Sequence, residues 1–506
     1  MSGLTQKMLL MPIGMRELYT TLNDMKLTID QALQQAIALH QQGRIGEAKE
    51  RYEEVLKASP QNAAALHLLG VVAYQTKNYQ AAVDLIGKAI ENNPNHAAYY
   101  SNLGLALQEL RQPEAALASY DKAISLKPDY VEAYNNRGNA LKDLKQLEAA
   151  VSSYDKAISL KPDYAEAHNN RGKLLQDLGR LDDAGASFKK AILIKPEFVL
   201  ALNNHSLNLL YLDELDEVTQ VLLKLIAIDP EGYGLDACVK LAILNFLNGD
   251  PSSSKSLLLK SKNIFKKKDT GFIDYYNILI THLDSQRIRI QEGIEHFQIQ
   301  NLYVIGESHS LASHGIYVKV ALSNYLCQSF WIMGCKAWHL GNTLENQYKH
   351  KFQKIIQLIP SSSNILLSIG EIDSRLDDGI LNHMKKHPFK DKSELLNLTI
   401  DDYLQYVFKL LTPLDHNVTI QGVPCPNINL NNTKKEEVTS LIDFIIEFNT
   451  ILKKRSHFFG FNFLDLHKLT DRGDGFSNGK WHIDQYHLSS AGMQEAWRTH
   501  YLPYSA

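Results

Sequence analysis

Three residues that lie far apart in the chain are of the types that together activate a nucleophile. Ser308 follows Gly306 and Glu307, and nearer the C-terminus Asp484 stands three residues before His487. An Asp at this spacing on a tight loop can accept the imidazole Nδ1–H, which leaves Nε2 free to act as a base. A serine hydroxyl beside such a base is an activated nucleophile. The three residues predict acyl-group chemistry if the fold brings the serine and the histidine together.

Each of these signals is common when it occurs alone. A Gly-x-Ser after a strand and an Asp-x-x-His on a loop both occur without catalytic function, so the prediction depends on their order and on the strands before them. Two more polar blocks lie between them, one at Gly341-Asn342 and one from Glu371 to Arg375. Glu371 and Arg375 either pair with each other or contact a substrate.

Short apolar runs precede most of these blocks from about residue 298 onward, and each run is typical of a strand. The runs are 302–305, 330–333, 365–369, 418–420 and 461–464. Amphipathic stretches at 396–411 and 434–455 are long enough to be helices. Strands that alternate with helices predict a doubly wound parallel sheet, in which ligands bind outside the carboxyl ends of the strands. Ser308 directly follows the first predicted strand.

The order and spacing of these blocks resemble the SGNH (GDSL) hydrolase family. The resemblance implies a flavodoxin-like, three-layer α/β/α domain in which Ser308 is the nucleophile. It also implies that His487 is the general base and later the general acid, and that Asp484 orients it. The backbone N–H groups of Ser308 and Gly341 would form the oxyanion hole, with Asn342 as a further donor.

The third block departs from the pattern of that family. The family has Gly-x-Asn-Asp there, whereas this chain has Ile372 in the place of the asparagine. Losing one oxyanion donor typically costs on the order of 10²–10³ in turnover unless another group replaces it. Asn342 and Arg375 are the two replacements that the sequence offers. In the first block, Glu307 stands where the family has Asp.

The first half of the chain repeats itself every 34 residues, and a period in this range is typical of solenoids. A small residue, a second small residue, a bulky residue and a proline recur in each unit. In the first unit they are Ala36, Ala48, Tyr52 and Pro60. The pattern resembles the tetratricopeptide repeat (TPR), in which two short helices bury their apolar stripes against neighbouring repeats.

The repeats and the strands together predict the domain organisation. We expect an N-terminal segment at 1–28 and six repeats at 29–232. A degenerate repeat with linking helices follows at 233–297, and an SGNH-hydrolase-like domain at 298–506. The fold class is thus a TPR α-solenoid followed by an α/β domain.

Two rows of polar residues run through the repeats at the same spacing. One row is Asn102, Asn136, Asn170 and Asn204, and the row before it is Ser101, Asn135, Asn169 and Asn203. A carboxamide can bond a peptide C=O and N–H together, and the array resembles the asparagine ladder of O-GlcNAc transferases. This resemblance implies that a protein or peptide binds along the concave face. The alternative is that these amides bond neighbouring helices or water.

Composition excludes several classes of function. Lys+Arg 53 against Asp+Glu 56 leaves no basic excess for a nucleic-acid or anionic-membrane partner. No apolar run of about 18 residues predicts a transmembrane segment. The four cysteines lack metal-ligand spacing and predict reduced thiols in a cytoplasmic protein. Neither a metal nor a cofactor is expected.

Two functions remain open at this point. In the first, the chain is a serine ester hydrolase or acyl (acetyl) transferase whose array recruits a protein or peptide, glycosylated ones included. The ester-bearing substrate would then be a glycan or another acylated molecule. In the second, the chain is a non-catalytic scaffold with a degenerate SGNH domain. Ile372 in the third block favours this second function.

Overall fold

The structure is a computed structural model of the whole chain. It describes residues 29–264, 276–277, 279–281, 299–320, 323–369, 391–426, 435–473, 477–482 and 488–503. Contacts between Cα atoms divide the chain into two compact units, residues 1–174 and 175–506, and each unit is described by itself. The boundary falls inside the repeats, so the second unit contains both helical repeats and the sheet.

Fourteen helices of similar length follow one another in the first half of the described chain. Their ranges are α1 (29–41), α2 (Ile45–Ala58), α3 (Ala63–Gln75), α4 (Tyr79–Asn92), α5 (Ala97–Glu109), α6 (Pro113–Leu126), α7 (Val131–Asp143), α8 (Leu147–Leu160), α9 (Ala165–Asp177), α10 (Leu181–Ile194), α11 (Val199–Leu212), α12 (Leu215–Ile228), α13 (Tyr233–Leu247) and α14 (Pro251–Ile264). The first twelve are the six predicted helix pairs. The last two are the degenerate seventh pair.

Close packing between the two helices of a repeat explains the 34-residue pattern. A Cβ on Gly104 would lie 2.6 Å from Tyr120 Cε1, and a Cβ on Gly138 would lie 2.5 Å from Tyr154 Cε1. The glycine therefore makes room for the bulky side chain of the second helix. Tyr120 and Tyr154 are fully buried, and each donates its hydroxyl hydrogen to a side-chain oxygen of the first helix.

The second unit contains a seven-stranded mixed sheet. Its strands are β1 (Ile299–Gly306), β2 (Tyr317–Val320), β3 (Ser323–Trp331), β4 (Asn364–Ser368), β5 (Asn417–Gln421), β6 (Asn462–Leu464) and β7 (Tyr501–Leu502). The spatial order is β2-β3-β1-β4-β5-β6-β7. The five central strands are parallel, and β2 and β7 pair antiparallel at the two edges. The parallel strands alone have the order that flavodoxin-like sheets have.

Helices cover both faces of this sheet. Those of the α/β part are α15 (Ser308–Leu311), α16 (Ala337–Gly341), α17 (Gln347–Leu358), α18 (Lys392–Leu411), α19 (Lys435–Phe458), α20 (Leu466–Thr470) and α21 (Ser490–Thr499). One buried cluster joins Ile305 and Leu367 to α17, α18 and α19. A second joins Val304 and Leu366, on the opposite face, to α21 and to α13 and α14.

The degenerate repeat is therefore also part of the sheet domain. Val239 and Ile243 of α13 and Leu258 of α14 are buried in the same cluster as strand residues. This shared packing explains why the boundary between the two units does not fall at residue 298. The expected boundaries of the segments stay predictions, but the last repeat and the sheet share one core.

The sequence pattern predicts the five parallel strands but does not predict the two edge strands, β2 and β7. The first, third, fourth and fifth apolar runs lie in or overlap β1, β4, β5 and β6, and the second overlaps only the end of β3. The prediction of an entirely parallel sheet is wrong at β2 and β7. These strands have four and two residues, too few for an alternating pattern to appear.

Candidate functional site

The two rows of amides in the first unit are bonded to one another across neighbouring helices. Asn170 Nδ2 on α9 donates to Asn135 Oδ1 on α7 at 2.9 Å. Asn135 Nδ2 in turn donates to Asn136 Oδ1 at 3.2 Å, and Asn169 Nδ2 to Asn170 Oδ1 at 3.4 Å. Interhelical bonding, one of the two alternatives from the sequence, is therefore present.

These bonds leave part of the hydrogen-bonding capacity of the amides unused. Asn135 is buried, whereas Asn136 and Asn170 are half-buried and reach the surface. A carboxamide offers two N–H donors and two acceptor lone pairs. Within the described residues, Asn136 uses its oxygen and makes no hydrogen bond through Nδ2. The interhelical network thus fixes the orientation of an amide that still has donors to offer.

His67 makes the corresponding interhelical contact two repeats earlier, and the sequence analysis missed it. Asn102 Nδ2 lies 2.8 Å from His67 Nε2, and the imidazole stacks on Tyr99. Burial, with a smaller contribution from His96, lowers the pKa of His67 to about 4, so the neutral ring accepts a hydrogen bond from the amide. His67 lies 34 residues before Ser101. The repeat spacing could have identified it.

The corresponding amides of the second unit are both buried. Asn203 and Asn204 are 9% and 7% exposed. Lys240 Nζ on α13 donates to Asn203 Oδ1 at 3.3 Å, and Lys240 also pairs with Asp236. A lysine in the degenerate repeat therefore contacts one of these amides, and no period in the sequence points to it.

Ser308 begins α15 directly after β1, at the carboxyl edge of the sheet. Gly306, the last residue of β1, packs so closely on β4 that a Cβ would lie within 3 Å of Ser368 backbone atoms. Ser310, two residues further on, is buried and donates its hydroxyl to Glu307 O at 2.6 Å. The backbone therefore places residue 308 where a doubly wound sheet binds its ligands. The side chain of Ser308 lies outside the described part of the structure.

Four predicted site residues lie outside the described residues: Asp484, His487, Glu371 and Arg375. The chain on either side of residues 483–487 is described. His482 and Leu488 form an antiparallel bridge, and Ser489 N donates to Trp481 O at 2.8 Å. Leu488 is fully buried in the cluster that also contains Leu311. The flanks of the serine and of the histidine therefore share one core.

Gly341 and Asn342 have local structural partners. A Cβ on Gly341 would lie 2.8 Å from Asp402 Cβ and Tyr403 N, so α16 approaches α18 closely there. The Asn342 N–H donates to Trp338 O, and its Oδ1 accepts from Leu344 N at 3.0 Å. These contacts account for a glycine at 341 by packing. Donation to an oxyanion stays a prediction for both residues.

An apolar cleft of about 250 Å³ lies beside the end of β3. Trp331 lines it and pairs in register with Gly306, so the cleft is one strand away from the start of α15. Buried Lys351 pairs with Asp213 at its rim. The remaining lining residues come from three helices of the last repeats, from β3 and the residues after it, and from α17; they include Leu210, Tyr211, Leu244, Leu247, Phe330, Met333 and Ile355.

The described residues gather no set of three metal-ligating side chains. His482 Nδ1 lies 2.8 Å from Ser477 Oγ, and burial lowers the pKa of His467. All four cysteines are buried, and none of them forms a disulfide. In the part of the chain that the structure describes, no helix is both long and apolar enough to cross a membrane.

Comparison with protein families identifies the N-terminal region. Models described as TPR repeat or tetratricopeptide repeat match residues 39–105, 96–127, 112–145, 138–179 and 165–198. The N-terminal region is therefore a TPR array, as the 34-residue spacing predicts. These matches lie within residues 39–198 and include no part of the sheet.

Solved TPR structures are similar to part of the chain. YrrB, a TPR protein with an unusual peptide-binding site, is 25% identical over 35% of this chain and 95% of its own, with a TM-score of 0.30. A thermophilic TPR protein of Thermus thermophilus is 24% identical over 36% and 99%, with a TM-score of 0.32. The first TPR of Spaghetti (RPAP3), bound to an HSP90 peptide, is 28% identical over 23% and 92%, with a TM-score of 0.23.

No curated protein matches the chain.

Proposed function

We propose that the TPR array binds a protein or peptide segment in an extended conformation along the rows of asparagines. The observation that carries this proposal is the bonded network in which Asn135 and Asn170 orient one another while Asn136 keeps an N–H at the surface. Amides held in this way can bond the peptide backbone, which is the same for every sequence. The binding is therefore tolerant of side-chain identity.

Peptide binding is tested with a double variant, Asn136→Ala with Asn170→Ala. Each neutral hydrogen bond contributes about 0.5–1.5 kcal/mol, so the affinity for an extended peptide, measured by fluorescence anisotropy, should fall about tenfold or more. Asn92→Ala, an exposed asparagine on α4 whose amide bonds the helix backbone, is the control. A peptide with N-methylated backbone amides should bind poorly to the wild type. Unchanged affinity in the double variant would exclude this binding mode.

We further propose that the α/β domain is a serine ester hydrolase or acyl transferase of SGNH type. Two observations support this proposal. Residue 308 follows the parallel strand β1 at the carboxyl edge, and Leu311 and Leu488, which follow Ser308 and His487 in the chain, both belong to the buried cluster on one face of the sheet. The order of the parallel strands is compatible with the flavodoxin-like layout that the resemblance implies.

In the proposed mechanism, Ser308 Oγ attacks the acyl carbonyl while His487 takes the hydroxyl proton. Asp484 orients the imidazole, and the N–H groups of Ser308 and Gly341 stabilise the negative oxygen of the tetrahedral intermediate. His487 then protonates the leaving alkoxide, and water or an acceptor hydroxyl takes the acyl group. The cleft beside Trp331 is one strand away and offers an apolar surface for the acyl group.

Hydrolysis of p-nitrophenyl acetate tests the chemistry. Ser308→Ala and His487→Ala should each abolish the turnover that the wild type shows above the uncatalysed rate, since removing either member of an activated pair costs several orders of magnitude. Ser313→Ala, a buried serine on the segment after α15, is the control and should keep its activity. Turnover that survives in Ser308→Ala would remove the assignment and leave the scaffold alternative.

A further inference from the structure

The loop between α16 and α17 follows Gly341 directly and is held at its ends. The side chains of residues 342–345 are all exposed, so the core does not fix their position. Asn346 closes the loop, since its Nδ2 donates to His339 O on α16 at 2.8 Å. The Oδ1 of the same side chain caps α17. Asn346 therefore joins the two helices on either side of the loop.

A second tie comes from Lys349 in the first turn of α17. This buried lysine donates through Nζ to Asn342 O, and its ammonium group lies 4.7 Å from the centre of the Tyr406 ring on α18. The place of Gly341 and Asn342 thus depends on where the first turns of α17 lie.

Two turns of the array contact the beginning of α17, and all of these residues belong to the second unit. Gly179 joins α9 to α10 and Asp213 joins α11 to α12, so they occupy the same position in the fifth and sixth repeats, 34 residues apart. A Cβ on Gly179 would lie 3.2–3.3 Å from backbone atoms of Asn346. Asp213 pairs with buried Lys351 in the second turn of α17. The two repeats therefore hold the beginning of α17 at two points.

The other repeats show that this turn does not need a glycine. Lys77, Arg111 and Lys145 stand at the same repeat position with φ of 61°, 57° and 62°. Each carries a side chain in a left-handed conformation, so the turn tolerates one. The close approach of Asn346 is what explains the missing side chain at Gly179.

We propose that the fifth and sixth repeats position the loop after Gly341 for acyl transfer, with Asn346 and Lys351 as positioning residues. The inference rests on the proposed hydrolase function, in which the Gly341 N–H donates to the oxyanion. Such a donor acts at about 2.7–3.1 Å from the developing negative oxygen. A misplacement of about 1 Å can cost on the order of 10²-fold in rate. The array thus serves the reaction as well as the binding of a peptide.

The test compares Gly179→Ala with Gly43→Ala in the full-length chain. Both glycines have a φ of 75° and occupy the same repeat position, but a Cβ on Gly43 would have no atom within 4 Å. The two changes therefore add the same backbone strain, and only the first presses on Asn346. With p-nitrophenyl acetate, Gly179→Ala should lower kcat about tenfold or more. KM should change by less than about twofold, because the oxyanion forms only in the transition state. Gly43→Ala should keep the wild-type kcat.

A second pair of variants addresses the ion pair. Lys351→Met removes the pair but keeps an unbranched stem in the buried position, so it should fold and should lower kcat as Gly179→Ala does. Asp213→Asn keeps an acceptor for the ammonium group and should retain most of the activity. Hydrogen exchange at the Leu344 amide, which donates to Asn342 Oδ1 at 3.0 Å, reports on the loop without catalysis. It should be faster in Lys351→Met and in Gly179→Ala than in the wild type.

The outcomes separate this inference from the hydrolase on which it rests. An active wild type whose Gly179→Ala and Lys351→Met variants keep kcat would overturn the positioning role alone. The same holds if Gly179→Ala and Gly43→Ala lose activity equally, or if exchange at Leu344 is unchanged in both variants. A folded wild type without turnover would overturn the hydrolase and the positioning role together.

Discussion

At the scale of single residues, the array depends on side chains that do two tasks at once. The asparagines hold adjacent helices together and also present polar atoms at the surface. His67 bonds Asn102 only while its ring is neutral, because Nε2 accepts a hydrogen bond from Asn102 Nδ2. Residue types recurring every 34 positions identify the rows, whereas the hydrogen-bond partners of each amide require coordinates.

Protonation of His67 should destabilise the protein in acid. Its pKa is lowered from 6.5 to about 4 in the folded state, chiefly by burial, so the unfolded chain binds the proton first. Stability is therefore fully present above pH 6.5 and is lost as the pH falls towards 4. In His67→Gln, the fall in the free energy of unfolding between pH 6.5 and 4 should be smaller than in the wild type, by up to about 3 kcal/mol. Urea unfolding at several pH values measures this difference.

The matched variant for that measurement is His96→Gln. His96 is exposed and stacks on the other side of Tyr99. It should keep most of the wild-type pH dependence. If His67→Gln and the wild type lose stability in parallel between pH 6.5 and 4, the neutral form of His67 is not what the fold requires.

At the scale of elements, the packing of one helix against its neighbour decides what the sequence reveals. The glycine and the bulky residue of each repeat meet directly, as Gly138 and Tyr154 do, so the pattern that predicts the repeat is the contact that stabilises it. The edge strands β2 and β7 lack such a signal. Helix α13 packs both on the neighbouring repeat and on the sheet, and no local sequence pattern indicates this second contact either.

Gly138→Ala should destabilise the array. The new Cβ would lie 2.5 Å from Tyr154 Cε1, and overpacking a buried site typically costs about 1–3 kcal/mol. Gly87→Ala, also within a helix but with no atom within 4 Å of its Cβ position, should instead stabilise by up to about 1 kcal/mol. Thermal unfolding of both variants gives the comparison. Equal effects would mean that the glycine at 138 is not required for close approach.

At the scale of the whole molecule, the second unit joins repeats to the sheet through a shared core. Val239, Ile243 and Leu258 pack on the face of the sheet that β1 and β4 present. The sequence predicts the order of solenoid and sheet correctly, because each has its own period. It cannot show that the last repeat covers the sheet, since that depends on contacts between residues more than forty positions apart.

A fragment that begins at residue 298 should therefore not fold. Without α13 and α14, the apolar side chains of Leu302, Val304 and Leu366 would face water, at a cost of about 1.5–3 kcal/mol each. A fragment of residues 181–506, which keeps these helices, should give dispersed amide NMR spectra and a cooperative thermal transition. A soluble, cooperative fragment 298–506 would show that the degenerate repeat is dispensable for the sheet.

The central claim is that Ser308 is an activated nucleophile, and labelling with a fluorophosphonate probe tests it most directly. We predict covalent modification of the folded wild type at Ser308, located by peptide mass spectrometry. The label should be lost in Ser308→Ala and retained in Ser310→Ala, whose hydroxyl is buried against Glu307 O. Absence of label in a folded wild-type sample, or equal labelling of Ser308→Ala, would contradict the claim and leave a peptide-binding array joined to a non-catalytic domain.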